Sequence, residues 1–150
     1  MLVSHAMSAP ARTCRATTQL GQAANMMTVH NCGCQSWTRK VALIGVITDR
    51  DASSTVAARC QNPWQLAVRD AMTKDVESCA ADDPIERALE IFGHVGVRRL
   101  PVVDHARHVK GVLSVDDLVL HAGQAGLSHE AVLTTLKCVC GAETGRVPEL

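Results

Sequence analysis

The chain has 150 residues, the length of one ordinary domain or of two very small ones. Fifteen Lys and Arg balance fifteen Asp and Glu, and the only aromatics are Trp37, Trp64 and Phe92. That charge balance argues against a nucleic-acid binder, and so few aromatics leave no stacking platform for single strands. Apolar residues make up 47 % of the chain, enough for a packed core. The longest apolar stretch, residues 41–47, is far below the about 20 residues of a bilayer-spanning helix. The chain opens with no basic segment running into an apolar one, and its seven cysteines are odd in number. The expectation is a cytoplasmic chain with free thiols.

In chain order, the first predicted helix covers residues 19–29. Strand-like runs follow at 32–38 and 40–47, then a second helix at 49–59. A linker with Asn62-Pro63 occupies 60–68, and a short extended piece lies near 76–80. The next helix, 84–94, has the clearest signals. Asp83 is placed to cap it, Pro84 suits its first position and Glu86 can close a capping box. Ile85, Ala88, Leu89 and Phe92 fall on one face, and Gly96 can end the helix in the left-handed conformation. Asn31 takes the place of Gly96 after the first helix. Strands at 97–103 and 109–113 and a helix at 115–122 complete the pattern. Ser128 can cap a last helix through about Cys140, closed by Gly141, with Leu133, Leu136, Val139 and Cys140 as its apolar face.

These elements repeat. Gly45-Val46-Ile47-Thr48-Asp49-Arg50-Asp51 matches Gly111-Val112-Leu113-Ser114-Val115-Asp116-Asp117 at an offset of 66. Ala6-Met7-Ser8 matches Ala71-Met72-Thr73 at 65, as Cys14 does Cys79, Leu20 does Ile85 and Met27 does Phe92. One residue inserted around 104–108 accounts for the change. Each unit reads β-α-β-β-α, and neither is long enough to bury a good core alone.

A β-α-β-β-α unit, present twice, with G-h-h-(S/T)-x-x-D where its last strand meets its last helix, resembles a CBS domain pair (a Bateman module). Arg98-Arg99-Leu100-Pro101-Val102-Val103-Asp104 is similar to the family's middle strand, and 111–117 to its ligand motif. The resemblance covers roughly residues 6–122, and Asn31-Cys32-Gly33-Cys34 resembles stand-alone bacterial members. It implies an α/β fold, α+β-like in layout. Two tandem repeats, 6–60 and 69–122, pack with pseudo-two-fold symmetry, and 123–150 form a C-terminal helix and tail. Gln35-Ser36-Trp37 departs from the family's Pro-Val and points to an irregular middle strand in the first repeat.

The resemblance also implies a regulatory module that binds AMP, ADP, ATP or S-adenosylmethionine in the cleft between the repeats. It implies a homodimer that signals to a protein partner, with no required cofactor, no nucleic acid and no membrane. Thr48 and Ser114 would hold phosphate at helix N-termini. Asp51 and Asp117 would accept the ribose hydroxyls. Gly45 and Gly111 would let backbone approach the ligand. Arg50, Arg98 and Arg99 are candidate phosphate partners, and Leu100, Pro101 and Val112 a candidate adenine slot. Arg50 favours the first motif for phosphorylated ligands, because Asp116 stands in its place in the second; the apolar slot favours the second.

The same (S/T)-x-x-D spacing is also a plain capping box. A ligand-free structural or dimerising module is therefore an alternative. A thiol-based redox or metal sensor through Cys32 and Cys34 is another, with Cys138 and Cys140 as a second, less suitable pair. His30, His94, His105 and His108 read as surface or helix-end residues. Walker, zincin and nucleophile-elbow motifs are absent, and no catalytic constellation is recognised.

Overall fold

The computed structural model describes residues 1–30, 34–39, 42–124 and 126–144, with backbone alone at 34–39 and 143–144. The elements in order are α1 (Val3–Ala6), β1 (Thr13–Cys14), α2 (Leu20–Val29), β2 (Cys34–Arg39), β3 (Ala42–Thr48) and α3 (Asp49–Arg59). A 3-10 turn, Val68–Asp70, leads to β4 (Cys79–Ala80), α4 (Ile85–Val95), β5 (Arg99–Val103), β6 (Val109–Ser114), α5 (Val115–Leu120) and α6 (His129–Thr144). Two three-stranded sheets form, β1-β2-β3 and β4-β5-β6. This is the duplicated mixed α/β plan that the sequence implies.

The compact units do not follow chain order. One comprises Ala11–Val76 with Ala106–Val109, and the other Met1–Pro10, Glu77–His105 and Lys110–Leu150. They are called here the first-repeat and second-repeat units. They differ from the expected boundaries, 6–60 and 69–122, at residues 6–10, 69–76 and 106–109. The backbone explains the exchange. In the second-repeat unit Val3 N–H donates to Asp83 O (3.0 Å) and Ser4 N–H to Ala81 O (2.9 Å). In the first-repeat unit Val68 N–H donates to Thr18 O and Arg69 N–H to Ala16 O, each at 2.9 Å. Every partner is shifted by 65 residues. Each lead-in segment thus joins the sheet of the repeat that it does not precede.

In the first-repeat unit β1 pairs parallel with β2, and β2 antiparallel with β3. The β2–β3 register slips between Trp37 and Thr38, the irregularity expected where the Pro-Val is missing. Leu20, Ala23 and Met27 line one face of α2 and pack with Ile47, Ala52, Leu66 and Val68. The stretch read as a linker is built into this unit. Leu20 N–H donates to Leu66 O, Gly21 N–H donates to Pro63 O, and the Trp64 indole lies over Gly21.

In the second-repeat unit β4 runs parallel to β5. Ile85, Ala88, Ile91 and Phe92 are the buried face of α4; Leu89 is half-buried, so Ile91 takes the place given to it. Asp83 does not cap α4. Its carboxylate accepts the Ala80 N–H at 2.7 Å, as Thr18 Oγ1 accepts the Arg15 N–H at 3.1 Å in the first repeat, and Pro84 holds the cap position. Gly96 ends α4 at φ +70°, as read from the sequence, while Asn31 lies outside the described residues. A Cβ at Gly96 would also collide with Ala142 of α6.

Ser128 Oγ accepts the Ala131 N–H at 3.1 Å, the expected start of α6. The helix packs on α4 and α5 and continues past Gly141 to Thr144. Its buried stripe is Val132, Thr135 and Val139 with half-buried Leu136, one residue off the expected face; Leu133 and Cys140 are exposed. Thr135 tolerates burial because its hydroxyl donates to Ala131 O at 3.0 Å. No helix among the described residues is long and apolar enough to cross a membrane.

The cysteines divide by burial. Burial pushes the Cys14 thiol up to about 12, against a weaker opposing bond from Thr18. Burial, aided by the Asp83 charge, pushes Cys79 up to about 11. Cys60 and Cys140 are exposed. At pH 8 the two raised thiols stay protonated, and only a thiolate is alkylated rapidly. Iodoacetamide followed by peptide mapping is expected to label Cys60 and Cys140 well before Cys14 and Cys79. The linkage has one sign. Below pH 9 both native thiols and their unfolded counterparts are protonated, and this contribution to stability is complete. Between pH 9 and about 11–12 only the unfolded state loses the protons, so the urea midpoint is expected to fall there.

Candidate functional site

The two matched motifs fold alike. In each, a strand ends on a hydroxyl residue that caps the next helix. Thr48 caps α3: its Oγ1 accepts the Asp51 N–H (3.2 Å), while Asp51 Oδ2 accepts the Thr48 N–H (2.9 Å) and hydroxyl (2.7 Å). Ser114 caps α5 in the same way: its Oγ accepts the Asp117 N–H (3.1 Å), and Asp117 Oδ2 accepts the Ser114 N–H (2.8 Å) and hydroxyl (2.5 Å). Both are complete capping boxes. They consume Oδ2 alone. The second oxygen of Asp117 accepts the Ser8 hydroxyl at 3.2 Å. That of Asp51 accepts no hydrogen bond from the described residues.

The motif glycines have an occupant of their own. Thr73 and Val46 exchange backbone hydrogen bonds, and a Cβ at Gly45 would sit 2.6 Å from the Thr73 carbonyl oxygen. Ser8 and Val112 do the same beside Gly111, whose Cβ would lie 2.7 Å from Ser8 O and 2.8 Å from Met7 Sδ. The close approach that glycine permits is therefore made by the chain's own lead-in segment. Sequence reasoning saw the Ala-Met-(Ser/Thr) repeat that carries this contact but gave it no role. Ser8 and Thr73 are the residues it missed.

The other expected residues divide. Arg50 is exposed on the first turn of α3, where its N–H is held by Asp49 Oδ1 (3.0 Å). Arg98 is exposed, and its carbonyl accepts the Val115 N–H (3.0 Å), fastening the start of α5. Arg99 is half-buried at the start of β5, and Val112 is half-buried on β6. Leu100 is 1 % exposed within the core and Pro101 is buried.

A shallow groove of about 620 Å³ lies elsewhere in the second-repeat unit, lined by Leu89, Gly123, Leu127 and His129 among others, and by none of the motif residues. Among the described residues no group of three or more His, Cys, Asp or Glu is placed to hold a metal ion. Cys32 and the Cys34 side chain lie outside those residues.

Comparison with known proteins identifies the pattern. The model of the CBS domain matches residues 68–122. An uncharacterized 17.7 kDa protein of Acidianus ambivalens is 33 % identical over 135 residues, covering 83 % of this chain and 79 % of that one. The chain spans a smaller share of other curated relatives, 39 % of an uncharacterized protein of Methanopyrus kandleri and 14 % of a homoserine O-acetyltransferase of Methanohalobium evestigatum. Among solved structures, the CBS domain pair of protein MJ0100, in complex with 5-methylthioadenosine and S-adenosyl-L-methionine, superposes with a TM-score of 0.72. It is 23 % identical, over 80 % of this chain and 94 % of that one. CBSX2 in complex with AMP gives 0.71 at 22 % identity, over 82 % and 96 %. With the same junction built twice in its two sheets, this chain belongs to the CBS-domain family as a pair of CBS repeats.

Proposed function

We propose that this CBS pair is a regulatory module rather than an enzyme. It binds adenosine-containing ligands at its duplicated strand-to-helix motifs and passes the change to a protein partner. The observation that carries this reading is the pairing of Thr48 with Asp51 and of Ser114 with Asp117 at equivalent junctions. Each junction offers the positive end of a helix for phosphate and a carboxylate for ribose hydroxyls. In the first repeat Asp51 Oδ1 accepts no hydrogen bond from the described residues and is the oxygen offered to a ribose, and Arg50 adds a cation one residue before it. The ligands of the two solved relatives, AMP, 5-methylthioadenosine and S-adenosyl-L-methionine, share the adenosine that this arrangement suits. Binding acts as a switch only through a difference in affinity between two arrangements of the module. The module works as a homodimer, and the bound nucleotide is its regulator, not a cofactor.

Calorimetric titration of nucleotide-stripped protein with AMP, ADP, ATP and S-adenosylmethionine tests this. Saturable heat with one of the four is the expected result. Absence of heat up to millimolar concentrations of all four would overturn it.

A ligand-free structural module is the second reading, favoured by one observation: both caps are complete, and both glycine approaches are filled, by the chain itself.

A further inference from the structure

The zero net charge of the chain conceals a division. By sequence, the first-repeat unit holds nine Lys and Arg against four Asp and Glu, and the second-repeat unit six against eleven. Nine minus four is +5, and six minus eleven is −5. Part of the imbalance lies at one pair of equivalent places.

In the first-repeat unit Arg12 and Arg15 flank β1, and Arg69 is bound through its N–H to Ala16 O (2.9 Å). All three side chains are exposed. Arg59 reaches the same edge, donating to Asp70 O at 3.4 Å, and its guanidinium also faces the Asp70 carboxylate at 3.9 Å, so that the net positive charge rests on Arg12, Arg15 and Arg69. In the second-repeat unit the matching bond is Ser4 N–H to Ala81 O. Around it Glu77 stands where Arg12 stands, Asp82 where Thr17 stands and Glu86 where Gly21 stands. These three are exposed as well, and Asp82 faces His105 Nε2 at 3.4 Å. One surface, generated twice by the repeat, is therefore basic in one unit and acidic in the other.

We propose that these two patches recognise each other between copies, with Arg12, Arg15 and Arg69 of one chain docking on Glu77, Asp82 and Glu86 of a second. This rests on the reading of the chain as a self-associating module and supplies the contact. The charge complementarity is what selects the occupant. A patch that bound only a polyanion would need no acidic counterpart at the equivalent position. Opposed charges also exclude the like-with-like pairing of two first-repeat or two second-repeat units. Exposed ion pairs are individually weak, so the association depends on several acting together and is sensitive to salt.

Sedimentation equilibrium of the full chain tests this, with wild type compared with Arg12→Glu/Arg15→Glu/Arg69→Glu and with Glu77→Lys/Asp82→Lys/Glu86→Lys. Wild-type association is expected to weaken at least about tenfold as salt rises from about 0.05 to 0.5 M, as the screening length shrinks. Each variant alone is expected to be monomeric, and an equimolar mixture of the two to associate again. Single reversals, Arg12→Glu and Glu77→Lys, give the same pattern at smaller amplitude if a triple variant unfolds. Association that ignores both salt and charge reversal would overturn the proposal while leaving the homodimer standing. A wild-type monomer at low salt would overturn both. So would a monomer whose basic patch holds a single-stranded oligonucleotide, which would assign that surface to a polyanion.

Discussion

Replacing Gly111 with alanine is expected to destabilise the protein by about 1–3 kcal/mol, the usual cost of forcing extra volume into a packed place. Gly45→Ala is expected to do the same. Ordinarily the sign is opposite, since alanine restrains the unfolded chain more than glycine does. Here the new methyl would meet a backbone carbonyl oxygen at 2.7 Å at Gly111 and at 2.6 Å at Gly45. A flexible side chain such as Met7 or Met72 can move aside; the carbonyl of a residue held through both its N–H and its C=O cannot. Ser8 N–H donates to Val112 O at 2.9 Å and Val112 N–H to Ser8 O at 3.0 Å, and Thr73 is held on Val46 in the same way. The methyl must break that ladder, and the exchanged segment then comes away from its sheet. Gly93 is the control. It lies in the last turn of α4, and a Cβ there meets nothing within 4 Å. Gly93→Ala is expected to stabilise by roughly 0.5–1 kcal/mol, the helix propensity difference. Urea unfolding of the three variants reads both signs. Loss of stability at Gly93, or gain at Gly111, would contradict this account.

Those glycines also mark the limit of what the chain discloses as a string. The elements were legible because their causes are local. Ile85, Ala88 and Phe92 share a helical face, Gly96 accepts the left-handed turn, and Thr48 and Ser114 stand three residues before a carboxylate. The repeat was legible because residues 65 apart solve the same packing problem. The exchange of lead-in segments was not, because no residue encodes which of two similar sheets a strand will join. Leu100 and Pro101 meet the same limit, since a buried strand and an apolar ligand wall use the same side chains. The α6 stripe missed by one residue because Val132 and Leu133 are equally apolar. Only contact with α4 decides between them. Charge misled in another way, since a whole-chain sum of zero hides units of opposite sign.

The two readings of the capping residues separate in one set of variants. Asp51→Ala removes the acceptor of the Thr48 N–H and hydroxyl, and Asp117→Ala does so at Ser114. Each is expected to cost about 0.5–2 kcal/mol, the range for a lost cap. If the carboxylates also hold ribose, each variant additionally weakens AMP binding at its own repeat by at least about tenfold, near 1.4 kcal/mol. Asp51→Asn and Asp117→Asn divide the two effects. An amide oxygen still accepts the cap N–H, so stability largely survives, while the charge-assisted bonds to two hydroxyls are lost. Asparagine variants that keep both stability and AMP affinity would leave capping as the whole role of these residues and favour the structural module. The repeats are not expected to respond equally. Asp117 Oδ1 must give up the Ser8 hydroxyl before it accepts a ribose, and Asp116 repels an incoming phosphate. Asp51 has Arg50 beside it, and its Oδ1 accepts no hydrogen bond from the described residues. The larger loss of AMP affinity therefore falls on the Asp51 variants.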